Sequence, residues 1–287
     1  MIPSDFDYAR PASVGEALSL LSRAGAMPLA GGQSLVPLLA DRGVTADLLV
    51  DISRLAELRR VSLTPGCLSV GAAASLGSLM TPELATAVPL LAAALLSVGS
   101  AAIRSRGTLV GNLVRASPNS ELPVAVMALD ASLVLRSLDG ERVLGAQDFF
   151  LGPHRTALGA GELVTELRIP LGAAGRTAGA FAEVAAPAGA PPLCCVTVHL
   201  QTDAGSLVGK AWIVAGGVTG VPARCPEHEA SVVGHPIHEA PARLANVLTS
   251  LQPSPELPEA AYALDVLPVL IRRAASRAVA QFGEPSA

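Results

Sequence analysis

The stretch "PLAGGQSLVPLL", residues 28–39, sets two consecutive glycines, a glutamine and a serine between two apolar runs. No other feature constrains the fold as much. If a strand delivers Ala30 and ends there, Gly31 and Gly32 let the backbone turn with positive φ and lie close to a ligand. The backbone N–H groups of Gly31, Gly32, Gln33 and Ser34 would then line a concavity ahead of a helical turn at Leu35. Such a nest binds anions, diphosphate above all, and the Ser34 hydroxyl adds a side-chain donor. The spacing is neither the G-x-G-x-x-G nor the G-x-x-x-x-G-K-[ST] pattern. Taken alone, the pentapeptide reads better as a tight strand-to-helix turn.

A second segment, "RSRGTLVGNLVRASPNSEL" at residues 104–122, changes that balance. It brings Thr108, Gly111, Asn112, Ser117 and Glu121 together: hydroxyl, backbone and amide donors, with one carboxylate to accept from ligand hydroxyls or a ring N–H. Two unrelated polar glycine segments in an apolar chain point to a long ligand whose central diphosphate is gripped from both sides. Neutral donors suffice for that grip. Arg104, Arg106 and Arg115 flank the segment, and an ordinary surface role is expected for two of the three.

The rest of the chain suits two or three packed lobes. Of its 287 residues, 51% are hydrophobic and only 15% charged, which excludes a disordered chain. With one Trp, two Tyr and five Phe, the cores must be built from Ala, Val and Leu, which favours an oligomer or a covering partner. A formal charge of −4 without a basic block argues against nucleic acid. Cys67, Cys194, Cys195 and Cys225 show no C-x-x-C spacing and read as free thiols in a reducing cytoplasm. The start "MIPSDFDYARP" has no secretory signature. Residues 84–103 are twenty in a row without a charge, but Pro89 and many small residues favour a buried helix and a turn over a membrane span.

Periodicity predicts a helix over residues 13–26, capped by Ser13 with Glu16 at the capping-box position. A short strand to Gly32, a helical turn from Ser34 and a buried strand "ADLLVDIS" complete a first lobe, residues 1–60. A second lobe, residues 61–172, holds the strand "CLSVG", an Ala/Leu helix to about Val98, the second glycine segment as a loop, the helix "ELPVAVMALD" and the strand "GELVTELRIP". Residues 171–180 read as a linker. A third lobe, residues 177–287, has the antiparallel pair "LCCVTVHLQT" and "GKAWIVAGGV", joined at "DAGS", and then helices, including "PARLANVLTSL" and "PVLIRRAASRAVAQF".

"AGGQSLVPLL…LLVDIS", "VGAAAS", "IRSRGTLVGNLVRASPNSELPVAVMALDASLVL", "DFF", "GELVTELRIP" and "AGGVTGVPAR" fall in the order and spacing of one family. The chain resembles the FAD-binding medium subunit of molybdenum hydroxylases, of the carbon monoxide dehydrogenase and xanthine dehydrogenase type. The resemblance implies an α+β, vanillyl-alcohol-oxidase (PCMH)-like FAD fold: two α/β subdomains with FAD between them and a C-terminal lobe of antiparallel sheet and helices. It implies that Ala30 to Leu35 hold the diphosphate from one side and Thr108, Gly111 and Asn112 from the other. Glu121 stands where the family has an aspartate contacting the flavin, and Leu163 and Val164 would lie by the isoalloxazine. It also implies partners, an iron–sulfur small subunit and a molybdopterin large subunit, from which the flavin passes electrons to an external acceptor.

The chain departs from the family pattern at several places. Val110 replaces the first glycine of T-x-G-G-N, which removes a close backbone approach and adds a β-branched side chain. The family's cations and Gly-Asp at the flavin edge are replaced by Ala182 or Glu183, Ala186, Gly189 and Ala190. No Arg follows Tyr262. Two further readings therefore stand beside the first. One is a stand-alone FAD-dependent oxidase or dehydrogenase of a small organic substrate, with Glu121 or Glu183 as base. The other is a flavin-free structural homologue in which Val110 blocks the pocket. His235 and His238 read as surface residues in a loop, "AGGVTG" at 215–220 as a turn, and Glu227 and Glu229 as solvent-facing charge. No cysteine cluster for an iron–sulfur centre is expected on this chain.

Overall fold

The computed structural model describes residues 5–172, 175–185, 190–203 and 206–283. Three sheets follow one another along the chain, with a two-stranded ribbon beside the second.

The first sheet is parallel, in the order β1 (Asp7–Ala9), β3 (Leu48–Asp51), β2 (Ala26–Leu29). Helix α1 (Val14–Leu21) links β1 to β2. The Ser13 hydroxyl oxygen accepts the Glu16 N–H at 3.1 Å, and the Glu16 carboxylate reaches back to the Ala12 N–H at 2.7 Å. This helix ends five residues before the expected boundary, because residue 26 already belongs to β2. Helix α2 (Leu35–Ala40) then leads to β3, whose four residues are all buried.

The second sheet is antiparallel, ordered β4 (Val61–Thr64), β5 (Cys67–Gly71), β10 (Leu163–Pro170), β6 (Ser132–Ser137), β7 (Gly140–Gly145). The last strand in sequence is thus its central one, which is why β10 is buried along most of its length. Between β5 and β6 run α3 (Pro82–Ala87), α4 (Pro89–Ser97), α5 (Ala101–Arg106), α6 (Leu109–Arg115) and α7 (Glu121–Ala128). The uncharged stretch is therefore α3, α4 and the start of α5, broken at Pro89 and at Gly99, whose φ is +51°. No helix among the described residues is long and apolar enough to cross a membrane. The short α8 (Ala146–Phe149) and the ribbon β8 (Phe150–Gly152) with β9 (Arg155–Thr156) complete this part.

The third sheet is antiparallel, in the order β11 (Thr177–Val184), β12 (Cys194–Thr202), β13 (Val208–Gly216), β14 (Ala223–Arg224). The expected linker over residues 171–180 is thus partly strand. Its glycine and alanines lower β propensity but fit between layers: a Cβ on Gly179 would lie 3.1 Å from the Leu90 side chain. The turn expected at "DAGS" includes Ala204 and Gly205, outside the described residues. Helices α9 (Pro226–Val232), α10 (Ala240–Ala245) and α11 (Ala260–Gly283) follow. The last starts eight residues before Pro268, which lies inside it.

Both faces of this sheet are covered. Cys194, Val196 and Val198 belong to a core shared with α11, whereas Cys195 and Phe181 belong to the core that runs through the first two sheets. Alternate residues of a strand point to opposite faces, so neighbouring Cys194 and Cys195 face different cores. All four cysteines are free, Cys67 being half-buried and the others buried. Burial pushes the Cys194 and Cys225 thiols up to about 12.

Candidate functional site: a groove between two glycine segments

Where β2 ends, the chain enters the first glycine segment beside a groove of about 590 Å³. Ala30, Gly31, Gly32 and Gln33 line it together with Arg106 from the second segment. Gly32 turns with φ +72°, a conformation that favours glycine. Gly31 is required for another reason. A Cβ there would stand 2.2 Å from the Arg106 carbonyl oxygen and 2.8 Å from the Gly107 Cα. The two segments therefore touch backbone to backbone. Among the described residues, no backbone or side-chain acceptor takes the N–H of Gly31, Gly32, Gln33 or Ser34. Ser34 begins α2 without capping it through its side chain, and Leu35 is the first helical residue, half-buried. Four consecutive unpaired donors in a loop that lines a groove fit an anionic group.

The opposite wall was not legible from motifs. Asp51, buried at the end of β3, accepts from the Tyr8 hydroxyl, accepts the Ser53 N–H at 2.9 Å and pairs with Arg10 at 3.6 Å. Burial works to raise this carboxyl, but those partners outweigh it and hold it below the usual carboxylate range. Arg54 stands on the same rim. These residues meet because β3 is central to the parallel sheet, with β1 on one side and β2 on the other. A hint lay in "DYAR" and "VDISR", which each put a charge at the end of a short strand.

The second segment is not a loop. Thr108 caps α6: its hydroxyl oxygen accepts the Gly111 N–H at 3.0 Å, so that donor is already used. Asn112 lies within the helix, and its Oδ1 accepts from the Ser120 hydroxyl at 2.8 Å. The cap leaves the Thr108 hydroxyl proton and the Asn112 amide N–H groups as donors. Ser117 is half-buried in the connection to α7. Val110 is 3% exposed, with its side chain in the hydrophobic core. Like Thr108, Gly111 and Asn112, it is not among the residues that line the groove, and its burial in the core runs against the expectation that it blocks a pocket. The second helical position of α6 turns inward, so a β-branched residue there feeds the core and leaves the groove open. Of the three flanking arginines only Arg106 lines the groove. Arg104 donates to the Val98 and Gly99 carbonyls at the end of α4, at 2.9 and 2.8 Å, and Arg115 contacts His154.

Glu121 and Glu183 sit apart from this groove, where α7 meets the third sheet. Glu121 opens α7 and is 5% exposed. Burial raises its carboxyl to about 7 against the pull of its own backbone N–H, and the nearby Glu183 adds to the rise. Glu183, on β11, is raised by burial, which the Ser97 hydroxyl only partly offsets. Its strand partner Cys195 reaches the Ser120 carbonyl with Sγ at 3.8 Å. Leu163 and Val164 are buried on β10, paired with Arg136 and Leu135. Ala182 is buried on β11, while Ala186 and Gly189 lie outside the described residues.

Other expectations resolve simply. "AGGVTG" is the end of β13 and a turn, with Gly217 at φ +84°. Glu229 is not solvent-facing charge: it is buried in α9, accepts the Ile213 N–H at 2.9 Å and forms a two-pronged pair with Arg224. Among the described residues, no group of His, Cys, Asp and Glu could hold a metal.

Residues 4–172 match the family described as FAD binding domain in molybdopterin dehydrogenase. The chain belongs to that family. Its cofactor is FAD, and the vanillyl-alcohol-oxidase-like fold expected from the resemblance is the one found. The glyceraldehyde dehydrogenase medium chain of Sulfolobus acidocaldarius is 34% identical over 241 residues, 83% of this chain and 85% of that protein. The 6-hydroxypseudooxynicotine dehydrogenase complex subunit alpha of Paenarthrobacter nicotinovorans is 31% identical over 97% of this chain and 96% of its own. Among solved structures, carbon monoxide dehydrogenase from Hydrogenophaga pseudoflava lacking the Mo-pyranopterin moiety of its molybdenum cofactor superposes with a TM-score of 0.88. The identity there is 29%, over 98% of this chain and 99% of that one.

Proposed function

We propose that this chain is the FAD-binding component of a molybdenum hydroxylase, working with an iron–sulfur small subunit and a molybdopterin large subunit. When bound, FAD supplies the electron-accepting and electron-donating chemistry. The chain's residues bind and orient. The N–H groups of Gly31, Gly32, Gln33 and Ser34 hold the diphosphate from the first lobe, and the Thr108 hydroxyl and Asn112 amide at the start of α6 close on it from the second, Gly111 between them adding no side chain. Glu121 and Glu183, with Leu163 and Val164 on β10 of the second sheet, form the surroundings of the ring end. Asp51 is committed to Tyr8, Ser53 and Arg10, so it serves as the fixed wall of the groove. The free, buried thiols suit a reducing compartment, the cytoplasm.

One observation carries this reading: a run of four consecutive unpaired N–H groups, three of them from residues that line a groove, lies where the two glycine segments touch. The test is to express the chain alone and with its genomic neighbours, then to record the visible absorbance and the proteins that copurify. Flavin in the chain and a three-subunit complex are expected. A chain that neither retains nor takes up FAD would overturn the site. Turnover of a small organic substrate by the chain alone would overturn the subunit role.

A further inference from the structure

The groove carries more charge than neutral donors require. Arg10, Arg54 and Arg106 line it against the single carboxylate of Asp51, which leaves two positive charges uncompensated in a chain whose formal charge is −4. Arg10 is the one already paired with Asp51. Arg54 and Arg106 make no ion pair or side-chain hydrogen bond among the described residues, and both are exposed at the rim. Most other arginines that line a groove or flank the glycine segment are committed. Arg104 holds the end of α4. Arg136, in the polar groove on the second sheet, is locked between Glu57 and Glu141 at 2.6 and 2.7 Å.

The two free guanidinium groups also come from different lobes. Arg54 follows β3 of the first sheet, whereas Arg106 ends α5 just before Thr108. The Arg106 backbone is the one that Gly31 touches, so its side chain starts at the seam between the segments. A diphosphate carries about two negative charges at neutral pH, and guanidinium forks match phosphate oxygens in pairs.

We infer that Arg54 and Arg106 form a two-sided clamp on the FAD diphosphate, one arginine from each lobe, with the Gly31–Ser34 amides as its floor. This rests on the reading that FAD occupies this groove. The clamp makes binding dependent on ionic strength, which neutral amides alone would not do strongly, and it ties the two lobes together when the ligand is present.

The full chain, freed of flavin, is titrated with FAD at several salt concentrations, following flavin fluorescence. R54Q and R106Q should each weaken binding about tenfold and the double variant about a hundredfold, with a flatter salt dependence at each step. R54K and R106K should keep the wild-type salt dependence, because the charge remains, while losing part of the affinity through the missing fork. Unfolding midpoints of the flavin-free variants should match the wild type, since both side chains are exposed. A wild-type chain that binds no FAD would overturn the site itself. A wild-type chain that binds FAD, with a double variant of equal affinity and equal salt dependence, would overturn the clamp and leave the site standing. Equal losses in the Lys and Gln variants with unchanged salt dependence would likewise overturn it.

Discussion

Gly31→Ala is the sharpest test of how the two glycine segments meet. The new Cβ would lie 2.2 Å from the Arg106 carbonyl oxygen, 2.8 Å from its carbon and 2.8 Å from the Gly107 Cα. All three neighbours are backbone, so no rotamer change relieves the clash, and the segments must part by roughly 1 Å to reach ordinary van der Waals separation. Overpacking of this kind costs about 1–3 kcal/mol, which for a chain of this size lowers the unfolding midpoint by roughly 2–10 °C. FAD affinity should fall much further, because the shift moves the Gly31 and Gly32 amides away from Thr108. Gly32→Ala is the control. Its Cβ meets the Val36 and Leu29 side chains, at 3.2 and 3.4 Å, which a small side-chain shift relieves, so its main cost is the left-handed φ, about 1–2 kcal/mol. The assay pairs thermal unfolding of the flavin-free chain with FAD titration. If Gly31→Ala unfolds like the wild type and binds FAD as well as Gly32→Ala does, the contact is not what holds the site.

Three further outcomes follow from the same geometry. Val110→Gly should destabilise the chain by about 2–4 kcal/mol, from the lost core side chain and the helical glycine, while FAD affinity stays within a fewfold; a large gain in affinity would mean that the valine does obstruct the site. Glu121 titrates near 7 in the folded chain, above its unfolded value, so its protonated form favours the native state at low pH and that contribution is lost as pH rises through about 7. Glu121→Gln should therefore remove part of the stability loss between pH 5 and pH 8, on the order of 3 kcal/mol, read from urea unfolding at each pH; identical pH profiles would refute it. Finally, an aromatic disulfide reagent should find Cys194, Cys195 and Cys225 unreactive in the folded chain and reactive after unfolding, with Cys67 alone open to slow modification.

What could be read in the sequence was local, and what could not was the pairing of distant pieces. "AGGQS" announces itself because a strand end, two glycines and a helix start are consecutive. The wall facing it is built from Tyr8, Asp51 and Arg54, and only the β1-β3-β2 order makes them neighbours. Composition also misled where packing decided the outcome. The Gly/Ala-rich residues 171–180 looked like a linker, yet from residue 177 on small side chains are what lets β11 lie between α4 and α11 in a sheet covered on both faces. The second glycine segment looked like a loop, although Thr108 followed three residues later by Gly111 is also a capping arrangement. That misreading bears on mechanism. A helix whose first turn is capped from within offers a rigid edge and few free amides, so most unpaired donors come from the first lobe. Under the proposed clamp, charge from Arg54 and Arg106 balances that uneven supply of amides, on two segments that a shared core already holds together.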